Sequence, residues 1–274
     1  MNVHNCILTK MSVQSTDVCE YRLNYNNESL LLNDWIGKQI SINFSGDIFC
    51  QECQVKIRKS YSQGYCYVHS QALARCDLCI LKPELCHYHK GTCREPQWGL
   101  DHCMQPHIVY LSNTTGLKVG ITRLQNMPSR WIDQGACQAL PLFEVDSRLH
   151  SGLVEITFAK FIADKTNWRA LIKSDADLID LTQRAKELID ETRSDLEHLK
   201  KTSGFSVKHL DINNVKHFKY PVESYPEKAK SLSLDKMPNI EGQLLGIKGQ
   251  YLLLDTGAFN VRKHTGYQVS LGYK

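Results

Sequence analysis

Short alternations of apolar and polar residues open the chain. Ile40, Ile42 and Phe44 alternate with Gln39, Ser41 and Asn43 before Ser45-Gly46-Asp47. A period of two that ends on turn residues predicts a strand closing at that turn. No long helical period occurs in residues 1–49, so a small antiparallel sheet is expected there. From residue 106 the pattern changes. HIVYL and LKVGIT are two β-rich runs separated by the turn cluster SNTTG, which predicts a hairpin. RWIDQGACQALPLFEVD then holds a short helical turn and a third apolar run, Leu140 to Val145. SGLVEITFAKFIAD spaces Leu153, Ile156, Phe158, Ala159, Phe161 and Ile162 by threes and fours, with Ser151 available as N-cap. The expected order is strand, strand, helix, strand, helix.

Residues 174–201 carry the longest helical stripe. It comprises Leu178, Leu181, Ala185, Leu188, Ile189, Thr192, Leu196 and Leu199, with Ser174 as expected cap, Asp175 and Asp177 in the first turn, and Lys200 and Lys201 before Gly204. Such a stripe predicts packing on a neighbouring unit. Residues 205–274 return to strand-like runs broken by Gly246, Gly249, Gly257 and Gly266. Pairing of these strands with the N-terminal ones would cover edges that each region leaves open alone. The glycines of GIKGQYLLLDTG fit a turn between strands better than a phosphate loop, because the G-x4-G-K-[ST] pattern is missing.

Composition narrows the class. The chain has 274 residues, 42% hydrophobic and 23% charged, which excludes wholesale disorder and a collagen-like repeat. No apolar run approaches the roughly 18–20 residues that cross a bilayer. The opening MNVHNCILTKMSVQ lacks the layout of a secretory leader, so a cytoplasmic protein with no membrane partner is expected. With 33 Lys+Arg against 29 Asp+Glu, the net charge of +4 permits an anionic partner without demanding one.

Cysteine changes the picture most. Eight of 11 cysteines lie between Cys50 and Cys103. An odd total in a reducing compartment points to metal ligation rather than disulfides. Cys50-x2-Cys53 and Cys66-x2-His69, twelve residues apart, can close a tetrahedral zinc site. Cys76-x2-Cys79 and Cys86-x2-His89 form the first-choice ligand set of a second. Cys93, His102 and Cys103 are also available there: Cys93 with Cys103 can replace the second pair or join a third site. Four protein ligands leave no open position, so two structural zinc ions are expected. Cys6, Cys19 and Cys137 stand alone and read as buried thiols. Lys56, Arg58, Lys59 and Tyr61 lie between the knuckles of the first site, and Arg123 follows the second strand of the hairpin. Such basic and aromatic residues can contact phosphates and stack on bases, which makes DNA or RNA the expected partner.

Residues 107–167 resemble the GIY-YIG endonuclease superfamily. The carrying motifs are Ile108-Val109-Tyr110, Lys118-Val119-Gly120-Ile121-Thr122, Ser129-Arg130-Trp131, Glu155 and Thr166-Asn167-Trp168. The resemblance implies roles for Tyr110 in water activation, Arg130 in phosphate stabilisation and Glu155 in holding Mg²⁺ or Mn²⁺, with Gly120 where backbone passes close to the site. Lys118 stands where the second tyrosine of the superfamily usually sits, and Gln134 near where many members have histidine. These departures touch activity more than fold. A scaffold without activity would leave Tyr110 a packed strand residue and Arg130 and Glu155 an internal ion pair.

Across nearly its whole length the chain also resembles a bacterial family of uncharacterised proteins, domain-of-unknown-function family 2797. The carrying stretches are CDLCILKPELCHYHKGTCREPQWG, HIVYLSNTTGLKVGITR, RWIDQGA and GIKGQYLLLDTG. An α+β protein is expected, with small antiparallel β regions at both ends (1–49 and 204–274), a zinc-ribbon-like module (50–105), a GIY-YIG-like three-stranded sheet with helices (106–173) and an amphipathic helix (174–203). The leading functional expectation is metal-dependent phosphodiester hydrolysis on nucleic acid. The alternative is a non-catalytic zinc-dependent nucleic-acid-binding or adaptor protein.

Overall fold

A computed structural model of the chain describes residues 2–162 and 166–274; the end of the helix expected at 151–164 lies partly outside them. Strands β1 (Asn2–Ile7), β2 (Ser12–Gln14), β3 (Glu20–Tyr25), β4 (Glu28–Leu31), β5 (Gln39–Phe49) and β6 (Lys56–Ile57) precede helices α1 (Tyr67–Ala72) and α2 (Pro96–His102). There follow β7 (His107–Asn113), β8 (Leu117–Arg123), α3 (Ser129–Asp133), β9 (Gln138–Val145), α4 (Arg148–Phe158), α5 (Trp168–Leu171) and α6 (Leu181–Ser203). The rest is β10 (Val207–His209), β11 (Lys216–His217), β12 (Ser231–Leu232), β13 (Asn239–Lys248), β14 (Tyr251–Leu254), β15 (Gly257–Asn260) and β16 (Tyr267–Tyr273). The protein is mixed α+β, with several sheets.

The two ends of the chain share the largest sheet, of eight strands. Its order is β1-β16-β5-β13-β14-β15-β12, with β6 also on β5. β16 lies antiparallel between β1 and β5, which is the mutual edge closure expected from the sequence. Ser45-Gly46-Asp47 does not end its strand. Gly46 takes a φ of 92°, open only to residues that tolerate the left-handed side of backbone space. The register against β16 shifts there, and β5 runs on to Phe49 through a bulge.

A second sheet has the order β10-β9-β7-β8, with β11 also on β9. The segment 107–158 gives the expected strand, strand, helix, strand, helix. Every residue of β7 is buried, and its period of two explains why. Ile108 and Tyr110 enter a core shared with the large sheet, Trp131 and Ile132. Val109 and Leu111 enter another, built with α4 and α6. A strand buried on both faces reads as the continuous apolar run seen in the sequence.

Two helices begin elsewhere than expected. α4 is capped by Ser147, whose side chain accepts from the His150 N–H, and not by Ser151. The extended Ser147 already turns the chain out of β9, so Ser151 falls inside the helix and its hydroxyl donates to the Arg148 carbonyl. α6 starts at Leu181 with Asp180 as N-cap, seven residues after Ser174. Residues 174–180 cannot be helical because their backbone is engaged otherwise. Asn113 donates to the Asp177 carbonyl, and the Gln138 amide both accepts from and donates to Ile179. Leu178 is accordingly exposed, while Leu181, Ala185, Leu188, Thr192 and Leu196 are buried against β9 and α4. Gly204 ends α6 in the left-handed conformation.

α4 is also where residues 50–105 dock. Gly152 faces the backbone of Pro83 and Glu84: a Cβ there would lie 2.5 Å from the Glu84 nitrogen. In a free helix Gly→Ala stabilises by about 1 kcal/mol. Here Gly152→Ala is expected to destabilise by about 1–3 kcal/mol through overpacking, read as a lower urea midpoint. A raised midpoint would contradict the docking. The helix boundary has its own check: Asp180→Ala should cost about 1 kcal/mol as a lost cap, and Ser174→Ala less than about 0.5 kcal/mol.

Candidate metal centre and arginine-lined cleft

Residues 58–105 contribute nothing to the apolar core clusters found among the described residues. Leu78, Leu81 and Leu85 are exposed, while Cys50, Cys86 and Cys103 are buried. A stretch this poor in buried apolar surface needs another cross-link to hold one conformation.

One such link is geometrically evident. Donor atoms of Cys50, Cys53, Cys66 and His69 all lie within 4.8 Å of one another. Local structure sets them there. The Cys50 carbonyl accepts from the Gln54 N–H, with Gln54 at a φ of 57°, and the Cys50 N–H donates to Val55, so the chain curls around the first two thiols. Cys66 caps α1, its sulfur accepting from the His69 N–H, which brings His69 back one turn later. The His69 Nδ1 lies 3.3 Å from Cys66 Sγ and 3.5 Å from Cys50 Sγ. Tetrahedral zinc with bonds of roughly 2.0 Å to nitrogen and 2.3 Å to sulfur spaces such ligands on the order of 3.5 Å apart. Burial pushes the Cys50 thiol up. The N–H groups of Cys53, Cys66 and Glu52, with the His69 ring, outweigh it and bring the thiol down to about 6. A thiolate is therefore prepared at neutral pH. The four residues can hold a metal ion such as zinc.

The other expected ligands separate. Cys79 and Cys86 lie side by side, and the shared proton holds Cys86 down to about 6. Cys76 turns away, toward Ser62 and within the field of Cys50. His89 is exposed at the end of a short 3-10 turn. A second candidate group is Asp77, Cys79 and His87. Its carboxylate is already paired with Arg94 Nε at 2.6 Å, and His87 Nδ1 lies 2.7 Å from Thr92 Oγ1.

Where the cysteine-rich segment meets the second sheet there is a cleft of about 300 Å³. Five arginines line it: Arg75, Arg123, Arg130, Arg148 and Arg262. They come from five separate places: the first metal segment, the end of β8, α3, the start of α4 and the turn before β16. Among the described residues, none that lines this cleft is acidic. Trp98 and His102 of α2, stacked with centroids 4.2 Å apart and an interplanar angle of 9°, form part of its wall. Burial and the like charge of Arg130 both work against the ionised forms of Arg148 and Arg262. Crowded cations without a lining carboxylate form a site electrostatically suited to an anion.

Of the basic residues singled out in the sequence, Arg123 lines this cleft. Lys56 instead pairs with Asp47 at 2.5 Å, Lys59 lies over the Tyr61 ring, and Arg58 is exposed beside them. Tyr110 is fully buried, and its hydroxyl donates to Gln134 Oε1 at 2.9 Å. The ring lies over Gly120, where a Cβ would come 2.7 Å from the hydroxyl, so the strand opposite needs a glycine. Burial pushes Tyr110 up to about 12; Arg130 opposes that shift and Glu155 adds to it. Lys118 is nearly buried and donates to Thr166 Oγ1. Glu155 is half-buried on α4, within electrostatic reach of Tyr110 and Arg148. Arg75, Arg148, Arg262 and Trp98 were not singled out by sequence reasoning. No local motif marks them, because only the fold gathers them.

Comparison with known proteins finds a family described as "Protein of unknown function (DUF2797)" over residues 37–269. No curated protein and no solved structure matches the chain. Among the described residues no helix is long and apolar enough to cross a membrane.

If metal ligation holds residues 50–105 together, His69→Ala should lower zinc by about one ion per chain, measured by inductively coupled plasma mass spectrometry. Limited proteolysis should then cut first within 50–105 and leave 106–274 intact. Unchanged zinc, or first cuts in the C-terminal sheet, would contradict this.

Proposed function

We propose a nucleic-acid-binding function for this chain, which belongs to DUF2797, a family of proteins of unknown function. The observation that carries it is the arginine cleft with its Trp98–His102 wall. Arginine guanidiniums match phosphate oxygens in fork geometry, and an indole offers a stacking face to any base. A groove combining the two suits a strand whose bases are unpaired. The zinc site formed by Cys50, Cys53, Cys66 and His69 is structural in this reading, holding Arg75 and α2 against the second sheet.

A second reading is phosphodiester hydrolysis on a GIY-YIG-like scaffold. It is favoured by one neighbourhood: Arg130 and Glu155 both act electrostatically on the Tyr110 hydroxyl. The strand order β9-β7-β8, with a helix before β9 and another after, is compatible with that scaffold. Glu155 would hold Mg²⁺ or Mn²⁺, which would supply charge neutralisation at a bound phosphate. Tyr110 stays buried and protonated near neutral pH, so it is poorly placed to take a proton from water. Binding is therefore better supported than cleavage.

Fluorescence anisotropy with labelled single- and double-stranded DNA and RNA tests both. Wild type should bind the single strands more tightly, with affinity falling as salt rises. Arg130→Ala and Arg262→Ala should each flatten the salt dependence by about one phosphate contact. Trp98→Ala should cost about 1–3 kcal/mol with little change in that slope. Absence of binding by wild type at low salt, or variants indistinguishable from it, would sink the proposal. In the same mixtures with Mg²⁺ or Mn²⁺, cleavage by wild type but not by Glu155→Ala would promote the second reading.

A further inference from the structure

Beneath the cleft wall lies a small enclosed space whose lining includes four thiols from three turns and one helix end, Cys79, Cys86, Cys93 and Cys103, with Asp77 and His87 beside them. Its volume is about 10 Å³, room for a single water or ion. We propose that these four cysteines form a second metal site, taking a thiophilic divalent cation such as zinc as a closed tetrathiolate.

Several independent features point there. Cys86 and Cys103 are buried, and Cys79 and Cys93 partly so, at a place that no apolar cluster among the described residues reaches. Gly99 of α2 brings the chain close: a Cβ there would lie 2.8 Å from the Tyr88 ring and 3.1 Å from Cys93 Sγ, so the helix that ends at Cys103 packs tightly here with no side chain at residue 99. The charges around the space are those a tetrathiolate needs. Four thiolates on a divalent ion carry a net charge of −2. Arg148 acts on Cys79, Cys86 and Cys103, and Arg123 acts on Cys103. Arg148 also donates to the carbonyls of Cys79 and Ile80, fixing the loop that presents the first ligand. Asp77 holds the Cys79 N–H and pairs with Arg94, the position of an outer-shell group orienting a ligand.

Spacing alone hides this set. Its gaps are six, six and nine residues, whereas the two-residue knuckles Cys76–Cys79 and Cys86–His89 each contribute a single member. The site also bears on the cleft. Trp98 and Cys103 line both spaces, so a metal here would underpin the stacking wall and the seat of Arg148.

The experiment uses the full chain purified under reducing conditions. Zinc content is measured, and cysteines are mapped by alkylation with N-ethylmaleimide before and after chelation. Wild type should hold about two zinc ions per chain. Cys79 and Cys93, partly exposed, should react only after chelation, and Cys76 at once. Cys76→Ser, His87→Ala and His89→Ala should keep about two ions, and Cys93→Ser about one. The proposal is overturned if wild type holds one ion, if Cys93 reacts before chelation, or if Cys79 and Cys86 form a disulfide without metal. Loss of an ion in Cys76→Ser, His87→Ala or His89→Ala overturns it too. Should Cys93→Ser fail to fold, wild-type alkylation still decides.

Discussion

Residues 58–105 join none of the apolar cores among the described residues, and that shortage is the constraint on which the rest depends. A stretch of this length, made of 3-10 turns and two short helices, buries too little apolar surface to offset the entropy of ordering it. A metal ion held by Cys50, Cys53, Cys66 and His69 would remove the difficulty by tying distant turns to one point. The knuckle of Cys50 and Cys53 grows from the end of β5, so the large sheet anchors one side. Gly152 receives Pro83 and Glu84 on the other, so α4 anchors the second. Between these anchors the segment presents Arg75 and Trp98 toward β8 and α3.

The cleft is thus a product of assembly rather than of any one element. Its arginines converge although like charges repel, and the cost is borne by the packing beneath. β7 is buried on both faces between two cores, which makes the second sheet rigid enough to hold Arg123 and, through Trp131 and Ile132, Arg130. That rigidity also buries Tyr110. The residue with the most obvious chemical interest is fully buried, while half-buried arginines line the cleft beside it. An electrostatic site of this kind needs no proton transfer to act; it needs only an anion that can replace water around the guanidiniums.

Much of the architecture was legible in the sequence because it rests on periodicity. The hairpin at SNTTG, the α4 and α6 stripes, Gly204 and the pairing of the two ends follow from local pattern and unsatisfied edges. The misplaced boundaries share a cause. Ser151 and Ser174 are good caps in isolation, yet Ser147 and the side chains of Asn113 and Gln138 claim the backbone first. Gly46 was ambiguous between turn and bulge until β16 supplied its partner. For the site, the spacing of Cys50, Cys53, Cys66 and His69 was readable, that of Cys76, Cys79, Cys86 and His89 misled, and the arginine cleft was hidden, since five residues from separate segments leave no signature along the chain.

The central claim is that the metal-held segment and the second sheet together make a nucleic-acid-binding cleft. Photocrosslinking tests it most directly, using a 4-thiouridine-substituted single-stranded RNA and peptide mapping by mass spectrometry. The account predicts crosslinks on peptides carrying Trp98, His102 and Arg130, lost when the metal is chelated. Crosslinks concentrated on Lys56, Arg58 and Lys59, or unchanged after chelation, would contradict it.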